Sequence, residues 1–362
     1  MQKRKSLVGL LAFGLVACGS VASSGCAASE TRDGFDTSAT DPAGGDDGTG
    51  EGDGAGGGDT PAPKPKQPGC AQDEYTETLP TSASLSGITF SSAKANDFLL
   101  EALERRYPLG KTIVEGGLSS SLAKTQGNCI DRFLQDKSSA ASVLRQAATV
   151  VHECGHFYDL GEASGNDAAY VIRSDLTFTC KEGDTTSRGG KTFARSLIKQ
   201  DAHYAKRKAC ASGTAGEGCD MYAPIYLDGN ATDSKFDSGD QGYNSVLEEA
   251  AQYVNSLAAA LAFEDSYTGT KASERDGILT FLWYIERYLA MARADYPEAY
   301  ALLSEDACWR QATLSVWDRG WFYLRATEGM SNLGIEDDAI EELVKDPELV
   351  GEIDALRKLE CN

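Results

Sequence analysis

His152-Glu153-Cys154-Gly155-His156 constrains this chain more than any other stretch, because two imidazoles four residues apart can act together only if the backbone between them is helical. With 3.6 residues per turn, positions four apart share a face, so His152 and His156 can reach one metal ion while Glu153 lies one step round. The 362-residue chain holds only three histidines, and two of them stand in this frame. Thr149, Val150, Val151, Cys154, Gly155, Phe157 and Tyr158 around them carry no charge, as a buried helix requires. The helix is expected from about Ser138 to Leu160, with Gly161 just past its end. Zinc lowers the pKa of a bound water from about 15.7 towards 7, and a carboxylate beside it takes the proton and returns it to a leaving amine. These residue types at this spacing point to His152 and His156 as metal ligands and Glu153 as general base. Cys154 faces away from both histidines into the core, where a disulfide or a buried thiol is expected rather than metal ligation. The third histidine, His203, has no partner at ligand spacing and reads as a surface helix residue.

The stretch Thr149 to Tyr158 resembles the active-site helix of the zincin superfamily of metallopeptidases. The metzincin branch requires Gly three positions after His156 and His or Asp three further on; Asp159 and Glu162 stand there and disfavour it. Gluzincins take a Glu from a later helix, and Ser245-Val246-Leu247-Glu248-Glu249-Ala250-Ala251-Gln252-Tyr253 is similar to that ligand helix. The resemblance implies Glu248 as third zinc ligand, with Glu249 as the neighbouring alternative. Ser245-x-x-Glu248 is equally a capping box, in which Glu248 bonds its own helix start. Ser238 to Tyr243 resembles the Asp-ligand segment of deuterolysin-type peptidases, which makes Asp240 another candidate. The loop from Asp237 to Glu248 has the length of an EF-hand, but Gly239 and Gln241 replace the oxygen donors that motif needs. The acids Asp228, Asp233, Asp237 and Asp240 remain a possible cradle for a structural ion. Tyr243, just before the ligand helix, is a candidate donor to the oxyanion of an attacked carbonyl, or else an aromatic packed on the core. Asp159, near His156, is a candidate to orient its imidazole.

The N-terminus supplies a location. Lys3, Arg4 and Lys5 precede an apolar run from Leu7 to Val16 that is too short for a membrane-spanning helix, the pattern of an export signal. Leu15-Val16-Ala17-Cys18-Gly19 resembles the lipobox of bacterial lipoproteins, implying cleavage after residue 17 and a lipid anchor on Cys18. Residues 18–68, rich in Gly, Asp and Pro, lack the apolar surface to offset ordering entropy and read as a disordered tether. The domain then spans residues 69–362. Beyond Cys18 and Cys26 it carries eight cysteines, Cys70, Cys129, Cys154, Cys180, Cys210, Cys219, Cys308 and Cys361, for which disulfides are the expectation in an oxidising compartment. Cys210 and Cys219 bracket a Gly-rich loop and suggest a local pair; Cys361 suggests a staple on the C-terminus. A net charge of -21 argues against a nucleic-acid partner, which is bound through Lys and Arg.

Hydrophobic periodicity gives a mostly α protein of the α+β class: the metal helix, a small sheet and a helical C-terminal half. Helices are expected at 91–106, stopped by Tyr107-Pro108, at 193–208, and in succession at 245–263, 273–295, 297–304, 306–327, 336–345 and 347–359. Ala169 to Cys180 reads as a strand or hairpin, and Tyr222 to Leu227 as a short extended piece. Together these features imply a zinc-dependent endopeptidase acting on protein or peptide outside the cytoplasm, held to the cell envelope, at the outer membrane or cell surface, by a lipid anchor. The alternatives are a non-catalytic surface lipoprotein with a structural or degenerate zinc site, and an amidase acting on cell-wall peptide.

Overall fold

A computed structural model of the chain describes residues 70, 75–164, 167–184, 190–211, 218–227 and 241–361. The export signal, Cys18, the tether and the acidic loop containing Asp228, Asp233, Asp237 and Asp240 lie outside the described residues. The helices are α1 (Ala95–Arg106), α2 (Pro108–Ser119), α3 (Ser121–Gln126), α4 (Cys129–Phe133), α5 (Ala140–Arg145), α6 (Ala147–Glu162), α7 (Ala223–Tyr226), α8 (Tyr243–Ala262), α9 (Glu274–Asp295), α10 (Pro297–Glu305), α11 (Ala307–Ala326), α12 (Asp337–Val344) and α13 (Pro347–Glu360). Strands β1 (Ala168–Arg173) and β2 (Leu176–Cys180) form an antiparallel hairpin, pairing Tyr170 with Phe178 and Ala168 with Cys180. The fold is therefore α+β and mostly α, with the helical C-terminal half expected from the sequence. Among the described residues, no helix is long and apolar enough to cross a membrane.

Helix α6 lies between α2 and α8; α9 backs α8, and the hairpin covers the end of α6. Helix α9 is buried all round from Arg275 to Leu289, including Trp283, Tyr284 and Tyr288, as a helix through the centre of a core should be. Four disulfides fasten this arrangement. Cys129–Cys154 ties α4 to the back of α6, Cys180–Cys308 ties β2 to α11, Cys210–Cys219 closes the expected local loop, and Cys70–Cys361 joins the two ends of the domain.

Five local expectations need correction. The single helix expected from Ser138 to Leu160 is divided at Gln146, whose side-chain oxygen accepts from the amides of Gln135 and Asp136 and whose amide donates to Asp136 and Ser142. Gly161 lies within α6, which runs on to Glu162. Pro108 does not merely stop α1; its fixed φ starts α2 directly. The stretch 193–208 is two 3-10 turns, Arg195–Gln200 and Ala202–Lys206, held by Arg287, which donates to Ile198 and Asp201, and by the Asp201 cap on Tyr204. Residues 222–227 are helical, not extended, because Asp220 accepts from the amides of Tyr222 and Ala223 and Pro224 suits a first turn.

Candidate metal centre

Helix α6 is oriented by what its two faces meet. Val150, Val151 and Cys154 are fully buried, with the disulfide to Cys129 fixing that face, while His152 and His156 point the other way, towards α8. Close approach of the neighbouring helices depends on glycine. A Cβ on Gly117 of α2 would lie 2.3 Å from the Cys154 carbonyl oxygen, and one on Gly155 would lie 1.9 Å from Oε1 of Gln252 on α8. The histidines are thereby clamped between layers, and both are about 5 % exposed.

Their Nε2 atoms stand 3.0 Å apart. Oε2 of Glu249, on α8, lies 3.5 Å from each of them. The opposite ring nitrogens are occupied by second partners. Nδ1 of His156 meets the carboxylate of Glu248 at 2.6 and 2.7 Å. Nδ1 of His152 is 3.3 Å from Oγ of Ser256, whose own proton is directed to the Ala148 carbonyl at 3.4 Å. A carboxylate and a hydroxyl lone pair both accept, so each Nδ1 carries the proton and each Nε2 presents a lone pair to the centre. Two imidazole lone pairs and a carboxylate oxygen thus converge in a buried space, an arrangement that repels itself unless a cation sits among them.

The spacing fits such a cation. A metal with bonds of about 2.0–2.1 Å and tetrahedral angles sets its ligand atoms about 3.3 Å apart. The observed edges of 3.0, 3.5 and 3.5 Å bracket that value. His152, His156 and Glu249 are accordingly a buried group able to hold a metal ion. Glu153, the residue after His152 and one step further round α6, is half-buried.

The third ligand expected from the sequence was Glu248; the geometry gives that place to Glu249. Adjacent helix positions differ by about 100°, and the rotation of α8 points Glu249 at the two Nε2 atoms while Glu248 reaches the far side of the His156 ring. Glu248 takes the orienting role expected of Asp159. Asp159 instead accepts from the Val171 amide at 3.0 Å and from Gln252 Nε2 at 2.7 Å, and burial, with the Glu248 charge adding, pushes its carboxyl well above the usual range. Tyr243, expected as an oxyanion donor, is also corrected. Its hydroxyl is fully buried against Thr313 at 2.9 Å, its ring packs on Tyr288 and Trp309, and burial raises its pKa further from any acid role. Asp240 lies outside the described residues. His203 is half-buried on a 3-10 turn, 4.0 Å from Asp346 and away from the centre.

Sequence reasoning missed Gln252, Tyr253, Ser256 and Tyr226. The Tyr253 ring stands edge-on to His152 with centroids 4.7 Å apart, and its hydroxyl is 3.3 Å from that of Tyr226. Burial raises the Tyr253 pKa well above its ordinary value, and the charges of Glu249 and Glu153 push the same way. The available signal was a polar stripe, Glu248, Glu249, Gln252 and Ser256, at three- and four-residue intervals on a helix rich in Ala, Leu and Val. No family model, curated protein or solved structure matches the chain.

Proposed function

We propose that this chain is a zinc-dependent peptidase working outside the cytoplasm. The observation that carries the reading is the convergence of His152 Nε2, His156 Nε2 and Glu249 Oε2 with Glu153 next to them on the same helix. Two imidazoles and one carboxylate suit zinc at a catalytic centre, where three protein ligands leave a position for water or substrate. When bound, zinc would polarise the scissile carbonyl and acidify water at neutral pH. Glu153 would accept the proton of the attacking water and pass it to the leaving nitrogen. Ser256 and Glu248 keep the imidazoles in the tautomer that presents Nε2. Either Tyr253, whose ring stands against His152, or Tyr226, whose hydroxyl meets that of Tyr253, replaces Tyr243 as candidate oxyanion donor.

Four disulfides favour an oxidising compartment. With the basic start, apolar run and lipobox-like Cys18, they support a lipid-anchored envelope protein with protein or peptide as its substrate. The competing reading, a structural metal in a non-catalytic surface lipoprotein, draws on the deep burial of Glu249, which is 1 % exposed. Glu153→Gln separates the two. A peptidase keeps its metal and loses hydrolysis of a casein or peptide-library substrate by about 100- to 10,000-fold. Hydrolysis unaffected by the substitution would sink the catalytic reading.

A further inference from the structure

A line of polar side chains, most of them buried, runs from the metal centre to Glu77 near the beginning of the domain. Behind His156, Glu248 Oε1 is 3.5 Å from Nε2 of Gln252, which also donates to Asp159 at 2.7 Å. Oε1 of Gln252 accepts from Nδ2 of Asn255 at 2.9 Å. Oδ1 of Asn255 accepts from Arg319 on α11 at 2.6 Å. Arg319 in turn donates through Nε to Glu77 at 2.9 Å and through a terminal nitrogen to the Tyr107 hydroxyl at 3.1 Å. Gln252, Asn255 and Arg319 are each 1 % exposed.

The chemistry of these groups gives the line a direction. A guanidinium has donors only, so the Asn255 side chain must turn its oxygen to Arg319 and its nitrogen to Gln252. Gln252 must then turn its oxygen to Asn255 and its nitrogen to the carboxylates of Asp159 and Glu248. Either amide flipped over would face donor to donor or acceptor to acceptor in a dry interior, where an unmade bond costs most. Arg319 is itself held by Glu77. Burial alone would raise the Glu77 pKa, but the charge of Arg319 and bonds from Arg319, Tyr323 and Tyr75 outweigh it and hold the carboxyl below its usual range.

We propose that Glu77 and Arg319 are positioning residues of the metal centre: through the fixed polarity of Asn255 and Gln252 they set the Glu248 carboxylate that orients His156. The proposal rests on the metal-centre reading. Its consequence is that the segment leading into the domain, seven residues beyond Cys70, is coupled to metal binding although it touches no ligand.

The test is cobalt(II) affinity and the visible spectrum of the cobalt-loaded full domain, in wild type, Asn255→Asp, Glu77→Gln and the double variant. Asn255→Asp preserves shape and still accepts from Arg319, but offers Gln252 no donor. It should weaken cobalt binding by roughly three- to tenfold, somewhat below the loss typical of a direct partner of a ligand, and shift the absorption bands. Glu77→Gln should act in the same direction, and the double variant should lose little more than Asn255→Asp alone, since both interrupt one path. Arg319→Lys, still a pure donor, should lose less than Arg319→Met. Variants with lowered melting temperature but wild-type cobalt affinity and spectrum would reduce the line to core packing and overturn the proposal. Wild type that takes up no cobalt would overturn the metal reading itself, and this inference with it.

Discussion

At the scale of the residue, the centre turns on which of two neighbouring glutamates faces the histidines. Glu249 shares the space of the Nε2 atoms, while Glu248 lies against Nδ1 of His156. The two should therefore respond differently to the same change. Glu248→Gln is expected to keep a metal site weakened about 10- to 100-fold, as for loss of an orienting partner. Glu249→Gln removes a charged ligand and is expected to weaken binding further, both measured by competition with a chelating dye. The frame His152, Glu153, His156 was legible in the sequence because the four-residue interval is a property of any helix. The choice between Glu248 and Glu249 was not, because the rotation of α8 is set by its packing against α6 and α9. Tyr243 misled for a related reason: nothing local says that its hydroxyl meets Thr313 inside the core.

At the scale of the element, the two helices that build the centre are held at close range by a missing side chain. A methyl on Gly155 would fall 1.9 Å from Gln252, which also bonds Asp159 and Asn255. Gly155→Ala must therefore push α6 from α8 or break that set of bonds. It should cost about 1–3 kcal/mol of stability in urea unfolding and weaken metal binding at the same time. Helices from α8 to α13 were read nearly to the residue, since their apolar runs are long and Pro297, Asp306, Asp337 and Pro347 mark the starts of the last four. The stretches that went wrong, 138–147, 193–208 and 222–227, are governed by side chains such as Gln146, Arg287 and Asp220, whose partners sequence position does not reveal.

At the scale of the whole molecule, disulfides close the domain on itself, and the Cys70–Cys361 bond spans 291 residues. The sequence led to the expectation that pairs form but suggested only Cys210–Cys219 among them, because pairing over long separations is decided by the folded arrangement. Stability carries one further mark of the core. Glu286 of α9 is fully buried without a hydrogen-bond partner among the described residues, and burial, with Asp346 and Glu352 adding, pushes its pKa well above 4.5. A raised folded pKa means that its contribution is most favourable below the unfolded value and is lost as pH rises through the folded one. Glu286→Met is thus expected to stabilise the domain by about 1–3 kcal/mol at pH 8 and by less at pH 5, measured by urea unfolding at both. The claim on which the rest depends is that the two histidines and Glu249 hold a metal. Metal content of the purified domain after zinc loading and dialysis tests it most directly, in wild type and Glu249→Ala. The expected result is about one zinc per chain in the wild type and almost none in the variant; a wild-type chain without zinc, or a variant that retains it equally well, would contradict the account.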